Sequence, residues 1–316
     1  MVPYRKMISD STKDKSKGKD QPQEEQLSKW AKSEAFFFNH GGNIAFLTIL
    51  FCMNVAMAVW GAWLFTEPHW STDNDILRVT LPIARASGRM VTWNSGLVLL
   101  SGCKYFWTLM RDTPLQHGFP IDNIMPKYHR ICALTIIVMG CIFHTIPQIV
   151  NYASDTLSQK RVGQGAWTFG DGVPQAQAFY TGILLVVVFS AFFVTTLERV
   201  RRTSIGFRVF WWVHVFSIAS VVPLLIVHGT ILGQPITIYF IGLPLVLYML
   251  DIMMRRIKYA HQSADLIELK AMDKGGERVT KIVVQNKDFV YSAGQYAELK
   301  LDALSLSEWH PFTIAR

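Results

Sequence analysis

The sequence predicts an all-α polytopic membrane bundle of six transmembrane helices followed by the start of a β domain. Three observations carry that prediction. Half of the 316 residues are hydrophobic, and mean hydropathy is +0.23. Six apolar runs of roughly 18–22 residues fall near 43–65, 90–110, 131–150, 178–197, 209–228 and 236–254, each long enough to cross a ~30 Å hydrocarbon core at ~1.5 Å per residue. After Arg256 the pattern shortens to IELKAM, RVTKIVVQ and QYAELKLD, separated by Gly- and Asp-containing turns, which reads as strands. Three regions follow: a polar tail over 1–38, a membrane domain over 39–257 and a β region over 258–316.

The net charge of +8 does not point to nucleic acid, because the basic residues flank the apolar runs. Lys104, Arg111, Lys127 and Arg130 occupy the second connection. Arg199, Arg201, Arg202 and Arg208 occupy the fourth, and Arg255, Arg256 and Lys258 follow the sixth run. The first, third and fifth connections hold few, so the positive-inside rule places both termini in the cytosol. The expected location is a plasma membrane or endomembrane, with membrane lipid as the surrounding partner. Cys52, Cys103, Cys132 and Cys141 all lie inside apolar runs without CxxC spacing, which argues against zinc, c-type haem and a disulfide framework. The first apolar run begins beyond residue 40 and is expected to act as a signal anchor.

The tail is polar over residues 1–34 and reads as disordered. Its end, SKWAKSEAFFF (28–38), is either a short interfacial helix with its aromatics in lipid or a plain linker. The segment IARASGRMVTWNSG (83–96) brings Arg85 and Arg89 in from the outer side, with Asn94 deeper. Such arginines often snorkel to phosphate headgroups; the functional reading is a fixed positive charge near an outer cofactor. The loop Gly229–Pro235 is too short to form a lid, whereas 151–175, rich in glycine, is long enough to cap the outer face.

Histidines carry the chemistry. His129 and His144 bracket the third run, and His214 and His228 bracket the fifth. Ionisable groups inside a membrane are costly and mark function. Both runs travel from cytosol to exterior, so His129 and His214 share the inner depth while His144 and His228 share the outer one. Their separations, 15 and 14 residues, correspond to ~22 and ~21 Å of helix. At ~100° per residue, 14 residues return to within ~40° of the starting face and 15 overshoot by ~60°. A bulge or local unwinding in the third helix is therefore expected if both of its histidines are to address one partner helix. Two facing pairs suit bis-imidazole ligation of two b-type haems, with His129, His144, His214 and His228 as ligands to iron.

These features resemble the NADPH oxidase family of the ferric reductase transmembrane superfamily. AGQYAELKLDALSLSEWHPFTI (293–314) is similar to the family segment that begins its flavin barrel. FPIDNIMPKYHR (119–130) and VFWWVH (209–214) resemble the approaches to the ligand histidines, and GLPLVLYMLDIMMRR (242–256) resembles the sixth-span exit. The resemblance covers residues ~40–316 and makes the β region the beginning of an FAD-binding domain. It implies that His310 and Thr313 contact FAD, that Phe312 lies near the isoalloxazine, and that Pro311 holds the turn. The implied reaction is electron transfer from cytosolic NADPH through FAD and two haem b groups to molecular oxygen outside, giving superoxide or hydrogen peroxide. Arg85 would stabilise the reduced oxygen anion by charge. A membrane partner subunit or cytosolic regulators are the further partners implied.

The sequence departs from the family pattern in several places. Each histidine separation is one residue longer than the family's usual spacing. Gln148 stands where a second outer histidine often follows, and Ser220 and Val221 stand where an aromatic often lies between the haems. Arg316 follows HPFTIA directly, and there is no Gly-rich dinucleotide loop. A chain truncated within its FAD domain is expected to lack the NADPH site, to bind FAD weakly and to be inactive by itself. The alternatives are a ferric or cupric metalloreductase and a non-catalytic haem-binding subunit.

Overall fold

The computed structural model describes residues 29–66, 73–154, 175–231, 234–259, 264–274, 277–287, 296–300 and 310–314. The tail up to residue 28, the bulk of the glycine-rich connection (155–174) and the Gly294, Gln295, Glu308 and Trp309 positions of the flavin-barrel likeness lie outside them. The fold is mostly helical. Among the described residues, five helices are long and apolar enough to cross a membrane. The chain divides into two compact units, Met1–Met249 and Leu250–Arg316.

Helix α1 runs unbroken from Lys29 to Trp63. The described part of that segment, 29–38, is thus neither a separate interfacial helix nor a linker; it continues into the first apolar run, and the helix includes residues read as disordered. At 35 residues α1 is ~52 Å long, well beyond a ~30 Å hydrocarbon core. Helix α2, Asp75–Ser101, starts at an N-cap where the Asn74 side chain accepts from the amides of Ile76 and Leu77 at 3.0 and 3.3 Å. It ends at Gly102, and Lys104–Arg111 form a separate short helix, α3. The second apolar run, placed at 90–110, therefore belongs to a helix that begins about four turns earlier. Charged residues in its first half hid that part from hydropathy. This 27-residue helix is not among the five apolar spans.

Helix α4 spans Ile121–Ser154. It contains two π-helical turns, Ile124–Tyr128 and Met139–His144, around the regular segment His129–Val138. Helices α5 (Gln175–Thr196), α6 (Glu198–Arg201), α7 (Ser204–His228) and α8 (Ile236–Tyr259) follow among the described residues. Thr203 caps α7 by accepting from the Gly206 amide at 3.0 Å. Between α7 and α8, β1 (Thr230–Ile231) pairs antiparallel with β2 (Gln234–Pro235). A Cβ on Gly229 would run into the Thr237 hydroxyl and crowd the Leu225 carbonyl at 3.0 Å.

Helix α2 packs between α1 and α4, while α7 packs on α5. Close backbone approach at glycine sets these contacts, as is common where helices pack in lipid. A Cβ on Gly61 of α1 would meet the Arg85 carbonyl at 2.6 Å, and one on Gly96 of α2 would meet the Phe240 carbonyl of α8 at 2.6 Å. The core is Val91, Leu99, Ile136, Leu185, Phe189, Leu225 and Ile241. Outside it the helices present large apolar side chains, such as Phe51 at 68 %, Phe216 at 63 % and Leu243 at 68 % exposure. A surface of that kind suits lipid rather than water.

Within the second unit, β3 (Asp265–Lys274) pairs antiparallel with β4 (Glu277–Gln285), with a register shift between Leu266 and Glu268. Strand β5 (Tyr296–Leu299) pairs antiparallel with β6 (His310–Thr313). These are separate two-stranded sheets. Pro311, expected to hold a turn, is instead inside β6 opposite Glu298. A proline lacks an N–H to donate, and a two-stranded sheet tolerates that on its open side.

Candidate functional site

The four histidines meet in two pairs. The rings of His129 and His214 have centroids 6.0 Å apart at an interplanar angle of 56°. Those of His144 and His228 are 5.8 Å apart at 72°. Helix α4 supplies one member of each pair and α7 the other, so the structure makes the same partners that depth suggested.

A π turn makes the longer spacing on α4 work. Met139–His144 lies immediately before and includes His144. A π turn inserts one residue into an α-helix, so 15 residues on α4 rotate as 14 would. Both helices then offer their two histidines with the same ~40° offset.

Hydrogen bonds orient three of the rings. His144 Nδ1 donates to the Ala84 carbonyl at 2.7 Å. His129 Nδ1 lies 2.8 Å from Ser101 Oγ, and His228 Nδ1 lies 3.0 Å from Thr181 Oγ1. His214 Nδ1 is buried and has no hydrogen-bond partner among the described residues; its ring contacts are Phe192 and Phe210, with centroids at 5.4 Å each. None of these partners was singled out from sequence, since they lie 28 to 60 residues from their histidines.

The donor set fits haem iron. Two imidazoles on opposite sides of one metal stand with centroids about 6 Å apart, given metal–nitrogen bonds of roughly 2.0 Å and about 1.1 Å from nitrogen to ring centre. Among the described residues there is no group of three or more His, Cys, Asp or Glu able to hold a metal ion. A two-imidazole site suits a metal whose other ligands come with it, as the porphyrin supplies them in haem. Ligand histidines also engage their second nitrogen with a neighbouring acceptor, as three of these do.

Arg85 lies one residue beyond Ala84, whose carbonyl accepts from His144. Its guanidinium stacks over Phe65 at 4.6 Å, and its Nε is buried without a hydrogen-bond partner among the described residues. Arg89 stacks over Trp60 at 4.4 Å. Gln148 accepts from Asn151 Nδ2 at 3.1 Å, and Asn151 also accepts from the Thr80 hydroxyl. Phe189 of α5 belongs to the core, with its ring 3.7 Å from the Cβ position of Gly140 on α4, and Val221 of α7 packs against the same core. His310, Pro311, Phe312 and Thr313 form β6 in the second unit, where Phe312 is exposed.

Residues 87–225 match the family described as ferric reductase like transmembrane component. The chain carries a ferric-reductase-like transmembrane domain. The match takes in His129, His144 and His214 and stops just short of His228. Similar proteins include respiratory burst oxidase homolog protein E of Arabidopsis thaliana, 28 % identical over 84 % of this chain and 30 % of its own length. Dual oxidase 1 of Rattus norvegicus is 25 % identical over 88 % of this chain and 18 % of its length. A superoxide-generating NADPH oxidase heavy chain of Dictyostelium discoideum is 23 % identical over 90 % of this chain and 42 % of its length. The chain spans under half the length of each of these relatives. Around its ferric-reductase-like domain the likeness extends over most of the chain.

Proposed function

We propose that this chain is the transmembrane electron conduit of an NADPH-oxidase-type enzyme, with His129 and His214 ligating one haem b and His144 and His228 a second. The single observation that carries this reading is the pair of imidazole couples, each about 6 Å across, held on the same two helices ~21 Å apart along their axes. When bound, the haems would pass electrons singly, so that NADPH oxidised through FAD on one side reduces oxygen to superoxide on the other.

Six spans complete the reading. Helix α2 counts as the sixth, because 27 residues are ~40 Å of helix and residues 90–101 carry no charged side chain. Both termini are then cytosolic, and the first pair is the inner one. The chain's own residues do three things. The four histidines would hold the two haems, which would supply single-electron transfer towards the outer side. Arg85 supplies a fixed positive charge beside the outer pair, where it favours formation of an anion. His310, Pro311, Phe312 and Thr313, carried on β6 and registered by β5, provide the start of the FAD site.

The test is spectroscopic. Purified protein should show two low-spin haems per chain in a reduced-minus-oxidised spectrum, and His144→Leu or His228→Leu should each remove one. Fewer than two haems in the parent protein, or spectra that both variants leave unaltered, would sink the assignment. Superoxide release against ferric reduction by the full-length enzyme in vesicles separates the oxidase from the metalloreductase.

A further inference from the structure

The hydrogen bonds that orient three of the rings come from one repeated five-residue pattern. It reads Ala84-Arg85-Ala86-Ser87-Gly88 and Val98-Leu99-Leu100-Ser101-Gly102 on α2, and Ala178-Phe179-Tyr180-Thr181-Gly182 on α5. In each, the hydroxyl at the fourth position donates to a carbonyl of its own helix: Ser101 to Val98 at 2.7 Å, Ser87 to Ile83 at 2.9 Å with Ala84 at 3.0 Å, and Thr181 to Gln177 at 2.5 Å with Ala178 at 3.4 Å. Each segment then receives one imidazole. His144 Nδ1 goes to the Ala84 carbonyl. His129 Nδ1 reaches Ser101 Oγ, and His228 Nδ1 reaches Thr181 Oγ1.

This arrangement decides the tautomer. A carbonyl only accepts, so the His144 hydrogen is on Nδ1. Ser101 and Thr181 commit their own hydrogens to helix carbonyls, so their oxygens accept from His129 and His228. In all three rings Nε2 is left as the lone-pair nitrogen available to a metal.

Glycine explains how a helix can offer such a site. Side chains lean toward the helix N-terminus, so the residue four positions on normally shields a carbonyl's second lone pair. Glycine removes that shield. A Cβ on Gly88 would stand 3.2 Å from both Cε1 and Nδ1 of His144, and one on Gly182 would stand 3.2 Å from Cε1 of His228. Gly102 differs, since its Cβ would meet the Tyr248 ring at 2.9 Å. A third Ser-Gly, Ser95-Gly96, faces the Phe240 carbonyl.

We propose that 84–88 and 178–182 are matched cradles for the second histidine pair. Gly88, Gly182 and Thr181 are positioning residues that hold His144 and His228 as Nδ1 donors, turning both Nε2 atoms toward one metal between them. This rests on the reading of the histidines as haem ligands. It adds an asymmetry that the ligand set alone does not contain, because His214 in the other pair has no such cradle.

Full-length protein purified in detergent provides the test, through potentiometric titration and the low-spin electron paramagnetic resonance signals of both haems. Gly88→Ala and Gly182→Ala should each shift or abolish the signal and midpoint potential of the same one haem, leaving the other unchanged. Thr181→Val should shift that same haem and Thr181→Ser should restore it; this pair decides the matter if a glycine variant fails to accumulate. Gly41→Ala, with open space around it, should leave both haems as they are. Signals and potentials unaltered by Gly88→Ala and Gly182→Ala overturn the proposal, as does an equal effect from Gly41→Ala. A parent protein without bis-imidazole signals refutes the ligand reading itself, a separate result.

Discussion

Deleting one residue should have opposite consequences on the two histidine helices. On α4 the step from His129 to His144 contains the π turn Met139–His144. Removing Ile142, which is 48 % exposed, lets that turn relax to regular α-helix and leaves a 14-residue step with its ~40° offset unchanged. On α7 there is no inserted residue to give up. Removing the exposed Ala219 leaves 13 residues between His214 and His228, which rotates the second ring by ~100° and draws it in by ~1.5 Å. With the ring roughly 6 Å from the helix axis, it swings by roughly 9 Å, more than the 5.8 Å that now separates it from His144. The assay is haem per chain with the reduced-minus-oxidised spectrum of purified protein. Lacking Ile142, the protein should keep two haems; lacking Ala219, it should keep one. Loss of a haem from the first, or retention of both by the second, would refute the role given to the π turn.

Two further predictions concern the packing that holds these helices. Gly61→Ala places a methyl 2.6 Å from the Arg85 carbonyl and should cost about 1–3 kcal/mol, whereas Gly41→Ala, with open space around it, should change little; thermal denaturation in detergent compares them, and equal melting temperatures would contradict the close contact. Asn94, fully buried, donates to Asn54 Oδ1 at 2.6 Å. Asn94→Leu should cost about 1–3 kcal/mol by stranding that acceptor, and Asn54→Leu with Asn94→Leu should cost less than the sum, by about 0.5–2 kcal/mol. Strict additivity in the double-mutant cycle would show that the two amides do not act together.

Much of the site was legible in the residues. Four histidines at matched spacing stood out because charge and polarity are scarce inside apolar runs, and the basic connections assigned their depth. The strands 267–272 and 278–285 were visible from alternation and fall inside β3 and β4. Helix limits were less legible. Arg78, Arg85 and Arg89 lower the hydropathy of α2, so its first half read as a connection, while Lys29, Lys32 and Glu34 disguised the start of α1.

Composition and spacing by themselves determined that this is a helical membrane chain with paired histidines on its third and fifth apolar runs. They also showed that the pairing on α4 needed an irregularity. Tertiary structure decided where that irregularity lies, because a π turn changes hydrogen-bond register without any compositional mark. It also decided which atoms orient the rings. Ala84, Ser101 and Thr181 are ordinary helix residues in sequence, and only the packing of α2 on α4 and of α5 on α7 brings them to a histidine. Local pattern reports which face a side chain occupies; contact between helices fixes what that face meets.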